Sequence, residues 1–93
     1  MARLSKPIWS FLPGYFVSTN DTPDHGLETM VYPAAEDACV RYNRKLFLTY
    51  THGVDYENPY EEYTQHYNTV QQAEKGHRYI VERVKERIEH ENA

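Results

Sequence analysis

The chain has 93 residues, enough for one domain with a modest hydrophobic core, and we expect residues 1–93 to form that single domain. Its 10 basic and 14 acidic side chains give a formal net charge of −4, which argues against direct nucleic-acid binding. Cys39 is the single cysteine and cannot form an internal disulfide. Lys6, Pro7 and Pro13 interrupt any apolar run of signal-peptide or membrane-spanning length. We therefore expect a cytoplasmic protein.

The N-terminal stretch, residues 1–12, carries several large apolar side chains, including Trp9, Phe11 and Leu12. Side chains of this kind predict an arm that docks onto a hydrophobic core. Whether the arm packs on its own chain or on a second copy is left open by the pattern.

Two strands are predicted after this arm. Residues 14–19 are rich in tyrosine, phenylalanine, valine and threonine, which favour strands, and the turn-forming residues 20–24 end the first strand. Residues 27–32 form the second strand, which has apolar side chains on both faces. We therefore expect this second strand in the centre of a sheet.

Residues 34–43 are ambiguous, because the spacing of their alanine, cysteine and tyrosine side chains fits a short helix, whereas a looser alternation fits a strand. We favour the short helix. Cys39 lies on the apolar side in either case, so a buried thiol is expected rather than a nucleophile. Residues 45–51 predict a third strand, and residues 53–59 predict a loop.

The last third of the chain begins with residues 60–67, whose tyrosines show helical spacing but whose alternation and composition favour a short fourth strand. Residues 69–91 then predict one long amphipathic helix, since their apolar side chains recur every three or four positions. Thr69 and Gln72 have the form of a capping box at its start.

Gly76 and His77 are the unusual residues of this predicted helix. A glycine within a helix costs about 0.5 to 1 kcal/mol relative to alanine, so Gly76 predicts close approach of a strand. Together with Ala73 it would form a groove for Met30 or Tyr32. His77, on the apolar face, is predicted to be a core histidine bonded to a backbone carbonyl or a sheet tyrosine, with a pocket residue as the alternative.

These elements predict an α+β fold, in which a small antiparallel sheet of three to four strands packs against one long C-terminal helix. The strands are joined by short connections, whereas each crossover in a parallel sheet needs about a dozen residues or more.

Three short motifs of this chain resemble motifs found in a group of small uncharacterised bacteriophage and prophage proteins. They are the strand Leu27-Glu28-Thr29-Met30-Val31-Tyr32, the pair His66-Tyr67, and Ala73-Glu74-Lys75-Gly76-His77 on the helix. In that group an E-T-M-V-F/Y strand precedes a tyrosine-containing strand and a helix that opens with A-x-x-G-H. The resemblance covers about half of the chain and implies a phage-encoded cytoplasmic factor, without implying a biochemical activity.

Sequence motifs of enzymes are absent. The chain has no glycine-rich phosphate loop, no serine or cysteine elbow, no Cys-x-x-Cys pair and no H-E-x-x-H. We therefore do not expect catalysis, and neither a cofactor nor a metal ion is expected.

The function that we favour from the sequence is binding of a host or phage protein through a tyrosine-rich acidic surface, with homo-oligomerisation as a further expectation. The chain contains nine tyrosines, and tyrosine is common in protein interfaces. The predicted contact residues are Tyr56, Tyr60, Glu61 and Tyr63.

The alternative is a dimeric module that binds a small nucleotide-like anion. Aromatic stacking and arginine side chains would hold such a ligand. The residues predicted for this pocket are Arg41, Arg44, His77 and Arg78.

Overall fold

A computed structural model describes residues 4–43 and 53–92 of the chain. Within these residues, four strands form one antiparallel sheet in the order β1-β2-β3-β4, and a long C-terminal helix packs on one face, so the predicted α+β fold is confirmed. The elements are β1 (Ile8–Leu12), β2 (Tyr15–Thr22), β3 (Gly26–Pro33), α1 (Glu36–Asn43), a 3₁₀ turn (Glu61–Tyr63), β4 (Gln65–Tyr67) and α2 (Val70–Glu91).

The core is divided by the sheet, because successive side chains along a strand point to opposite faces. Val17 and Val31 are fully buried against α2, where they meet Ile80 and Val84. On the other face, Phe11, Phe16 and Ala38 form a second buried cluster, to which α1 contributes Ala38.

The N-terminal arm is part of the sheet, as β1. Trp9 pairs with Ser18 and Phe11 with Phe16, so the arm packs on its own chain. Ser10 points toward α2, while Trp9 and Phe11 point away from it and Phe11 stacks on Phe16 at 4.4 Å between ring centroids. Large apolar side chains lie on both faces of β1. The sequence of this segment therefore does not show the alternation of polar and apolar residues that is typical of a strand.

The β2–β3 hairpin is longer than predicted, since the pairing continues from Tyr15↔Pro33 to Thr22↔Gly26. A loop of residues 23–25 closes it, and Gly26 has a φ of +66°, a conformation that side chains with a β-carbon rarely adopt. β3 has a neighbour on each side, so its predicted central position is confirmed.

The segment after β3 forms the short helix α1, as we favoured, and its strand alternative is wrong. The thiol of Cys39 is partly buried and donates a hydrogen bond to the backbone oxygen of Phe11 at 3.3 Å. The strand predicted for residues 45–51 lies outside the described residues.

The strand predicted for residues 60–67 is wrong in its first half. Tyr63 N–H donates to the backbone oxygen of Tyr60 at 3.0 Å, and the chain forms the 3₁₀ turn before β4 begins at Gln65. A 3₁₀ turn places residues i and i+3 on the same side. Tyr60 and Tyr63 can therefore both face α2. In a strand, residues three apart would point to opposite faces of the sheet.

The capping box of α2 is confirmed, because Thr69 Oγ1 accepts from Gln72 N at 3.1 Å and Gln72 Oε1 accepts from Thr69 N at 3.3 Å. The close approach at Gly76 is also present, since a β-carbon there would overlap the ring of Tyr67 from β4. Met30 and Tyr32, which we placed in this groove, are wrong candidates, because their parity on β3 turns them to the opposite face.

Gly76→Leu is expected to lower the free energy of unfolding by more than about 1 kcal/mol, measured by urea denaturation. Leucine is the better helix former, but its side chain would displace the Tyr67 ring, and overpacking costs about 1 to 3 kcal/mol. Adding Tyr67→Ala should make the leucine less damaging, because the ring is then gone. A Gly76→Leu chain more stable than the original would contradict this packing.

Candidate functional site

A chain of hydrogen bonds, buried at its centre and partly buried at its two ends, crosses the molecule between the sheet and α2. Tyr67 Oη donates to Thr29 Oγ1 at 3.0 Å, and Thr29 Oγ1 lies 2.5 Å from Thr19 Oγ1. Thr19 Oγ1 lies 2.7 Å from His77 Nδ1, and His77 Nε2 lies 2.8 Å from Ser10 Oγ. His77 is a core histidine as predicted, with 4% of its surface exposed, but its partners are hydroxyl groups instead of a carbonyl or a tyrosine.

The direction of this chain sets the state of the imidazole. If each hydroxyl donates once, starting from Tyr67, then Thr29 donates to Thr19 and Thr19 donates to Nδ1. Nε2 then carries the proton and donates to Ser10. Both ring nitrogens of neutral His77 are satisfied in this arrangement, and burial, with a smaller contribution from Arg78, lowers the pKa of His77 to about 4.

Ser10 and His77 are at the spacing of a nucleophile and its base. A base must accept the proton of the nucleophile, whereas Nε2 donates to Ser10 in the arrangement just described. The cavities that we describe below are not lined by Ser10. This contact therefore fits a structural role.

The predicted tyrosine surface is divided between the two faces of the sheet. Residues 53–60 run beside the end of β3, where Asp55 N–H donates to Pro33 O and Tyr60 N–H donates to Val31 O, both at 2.8 Å. Tyr60 packs on the core under α2, and Tyr63 is buried there with 6% of its surface exposed. Tyr56 lies against the opposite face, so the four predicted contact residues do not form one flat patch.

On the α2 side, three tyrosines surround a guanidinium group. Arg87 Cζ lies 4.7 Å from the ring centroid of Tyr60, 5.7 Å from that of Tyr15 and 5.9 Å from that of Tyr63. Arg87 also pairs with Glu62 at 2.9 Å and with Glu91 at 3.0 Å. These contacts hold the end of α2 against the 3₁₀ turn.

Tyr15 adds a second link to the same end of α2. Its hydroxyl donates to Glu91 Oε1 at 2.6 Å. Burial, together with this hydrogen bond, raises the pKa of Tyr15 to about 12, while the hydrogen bonds from Tyr15 and Arg87 lower the pKa of Glu91. The tyrosine therefore stays protonated and remains a donor to the carboxylate.

On the opposite face, the ring of Tyr56 contacts Tyr32 at 5.0 Å and Phe16 at 6.2 Å between centroids, yet 47% of the residue is exposed. The adjacent residues Asp55 and Glu57 are exposed, and Asp55 Oδ1 accepts from Glu57 N at 3.1 Å. Glu61 is exposed as well. Tyr56 is thus a fixed, partly exposed aromatic ring with carboxylates on both sides in the sequence.

Of the residues predicted for an anion pocket, the structure describes the side chains of His77 and Arg78, and Arg78 lines a surface cavity that His77 does not line. His77 is buried with both nitrogens occupied, whereas Arg78 is exposed. Arg41 belongs to α1, and Arg44 lies outside the described residues.

The sequence did not single out Tyr15, Arg87 or Tyr79; Tyr15 and Arg87 belong to the surface under α2, and Tyr79 lies on α2 away from it. Tyr79 is the most exposed large aromatic side chain described, at 58%. Its place outside the apolar stripe of α2 was the signal for it. Arg87 and Tyr15 had no sequence signal, because their contacts join residues far apart in the chain.

A cavity of about 360 Å³ lies where the β1–β2 turn meets the C-terminal end of α2. The residues that line it include Tyr15, Tyr60, Glu36 and Glu91. A second cavity of about 440 Å³ lies on the opposite face, beside Glu28 and His66.

Comparison with known proteins found no matching family model and no significant match among curated proteins or solved structures. The resemblance to phage proteins therefore stays a prediction, as does the cytoplasmic location. Within the described parts of the chain, neither helix has the length and apolar character needed to cross a membrane.

The depressed pKa of His77 predicts acid sensitivity. The unfolded histidine has a pKa of about 6.5, so between pH ~6.5 and ~4 the unfolded chain binds more protons, and the free energy of unfolding falls as the pH falls. The full difference between the pKa values of His77 in the unfolded and folded chain corresponds to about 3 kcal/mol of unfolding free energy.

Carboxylates also titrate in this window, so His77→Gln is the control. The stability advantage of the original chain over His77→Gln, measured by urea denaturation, should shrink from pH 6.5 to pH 4. An advantage that does not change with pH would contradict a neutral, buried imidazole. If His77→Gln does not fold, the NMR titration of the His77 ring replaces the comparison.

Proposed function

We propose that this protein is an interaction module that binds a positively charged protein surface through residues 55–62. The observation that carries this proposal is Tyr56, whose ring is held by Tyr32 and Phe16 but is about half exposed. A ring already fixed in position loses little side-chain freedom when a partner covers it, and tyrosine is enriched among the residues that dominate binding energy.

The charge of the segment supports a basic partner. Residues 55–62 contain Asp55, Glu57, Glu61 and Glu62 and no lysine or arginine. Glu62 is paired with Arg87, so the other three carboxylates supply the net field. Clustered exposed charge of one sign accelerates encounter with a surface of the opposite sign.

Two predicted contact residues have a different role in this proposal. Tyr63 is buried in the core under α2 and supports the segment there. Tyr60 is half-buried, and the centroid of its ring lies 5.3 Å from that of Tyr15. The contact itself is therefore assigned to Tyr56 and Glu61. The short phage-like motifs support a phage-encoded factor with a host or phage protein as its partner, and they are the sole support for that part of the proposal.

Photo-crosslinking in cells that produce the chain tests the proposal. With Tyr56 replaced by p-benzoylphenylalanine, illumination should give a discrete product of higher mass, and the product should weaken when Glu61→Lys is added. The same replacement at Tyr79, which is more exposed but lies on the outer face of α2, is the matched control and should not give that product.

The isolated complex should lose about 2 kcal/mol or more of binding free energy with Tyr56→Ala, while Glu61→Lys should mainly slow association and change its salt dependence. A crosslinked product containing two copies of the chain would identify the partner as a second copy. No product from position 56, or equal products from positions 56 and 79, would contradict the proposal.

A further inference from the structure

The cavity of about 360 Å³ at the end of α2 has walls that favour a cation. Glu36 and Glu91 line it, and among the residues that the structure describes no lysine, arginine or histidine does so. The last turn of α2 ends here as well, and the free carbonyl groups at a helix C-terminus carry a partial negative charge. Glu36 and the helix end therefore place negative potential at one cavity, and Glu91 adds to it although it is paired with Arg87.

Glu91 retains hydrogen-bonding capacity toward a ligand. Both of its described hydrogen bonds, from Tyr15 and from Arg87, use Oε1. Oε2 is left for a further donor. Glu36, on the first turn of α1, is exposed, and no ion pair with it is found in the described parts of the chain.

The aromatic walls fit a planar cation. The rings of Tyr15 and Tyr60 lie 5.3 Å apart between centroids at an angle of 42°. Arg87 already lies over both rings, although it does not line the cavity. The same ring pair therefore accommodates one guanidinium from within the chain and presents further aromatic surface to the cavity.

We infer that this cavity binds the guanidinium side chain of an arginine on the partner protein. The inference rests on the proposed function and extends the contact from Tyr56, on one face of the sheet, to Tyr60 of the same segment, which lines the cavity on the α2 side. A guanidinium can stack on tyrosine and donate in parallel to carboxylates, which an ammonium group cannot do. The volume is at the low end of small-molecule sites and suits one side chain.

NMR titration of the ¹⁵N-labelled chain with the peptide acetyl-Gly-Arg-Gly-amide tests the inference. The amide signals of Gly14, Tyr15 and Asn92, which line the cavity, should shift and saturate. A peptide with citrulline in place of arginine keeps the shape without the charge and should cause no saturable shift. A peptide with lysine should bind more weakly.

Glu36→Gln should weaken the arginine peptide about five- to tenfold, the usual effect of losing one charge-assisted contact. Glu89→Gln is the matched control, because it removes the same charge from the same end of the molecule at a residue that does not line the cavity. Its affinity should equal that of the original chain.

The inference is overturned if the arginine peptide gives no saturable shift at the cavity, if citrulline or lysine binds as well as arginine, or if the two Gln variants behave alike. Failure here leaves the crosslink from position 56 untouched. Conversely, loss of that crosslink would remove the proposed function while the peptide titration still reports on the cavity.

Discussion

The hydrogen-bond chain from Tyr67 to Ser10 is the constraint on which the rest of the structure depends. It takes one residue from each of the four described strands and one, His77, from α2. A shift of one residue in the pairing of β2 and β3 would turn Thr19 or Thr29 to the other face and leave the buried imidazole without its partner. The polar chain therefore fixes both the strand register and the position of the helix.

This arrangement also determines where the cavity beside Tyr60 and the exposed ring of Tyr56 lie. Tyr67 can reach Thr29 because Gly76 leaves room for its ring, and this contact fixes where β4 lies beside β3. β4 in turn places the 3₁₀ turn and the segment before it along the end of β3. Tyrosines from one short stretch are thereby distributed to both sides of the sheet, with Tyr60 beside the cavity and Tyr56 on the opposite face.

Local patterns in the sequence predicted the long helix, its capping box, the short helix α1 and the two central strands, because periodicity and capping chemistry depend on near neighbours. They did not predict β1. They also did not predict the roles of Ser10, Thr19 and Thr29, because serine and threonine occur both in buried hydrogen-bond networks and on surfaces. Exposure of Tyr56 and Glu61 agreed with expectation, whereas the burial of Tyr63 depended on a 3₁₀ turn that alternation concealed.

The most direct measurement of the central claim is a double-mutant cycle of unfolding free energy with Thr19→Val and Ser10→Ala. Thr19→Val keeps the shape of a fully buried side chain and removes its hydroxyl, so it should cost about 1 to 3 kcal/mol. Because both residues bond to the one imidazole ring, the two effects should depart from additivity by at least ~0.5 kcal/mol. A neutral Thr19→Val chain, with strictly additive effects, would contradict the account.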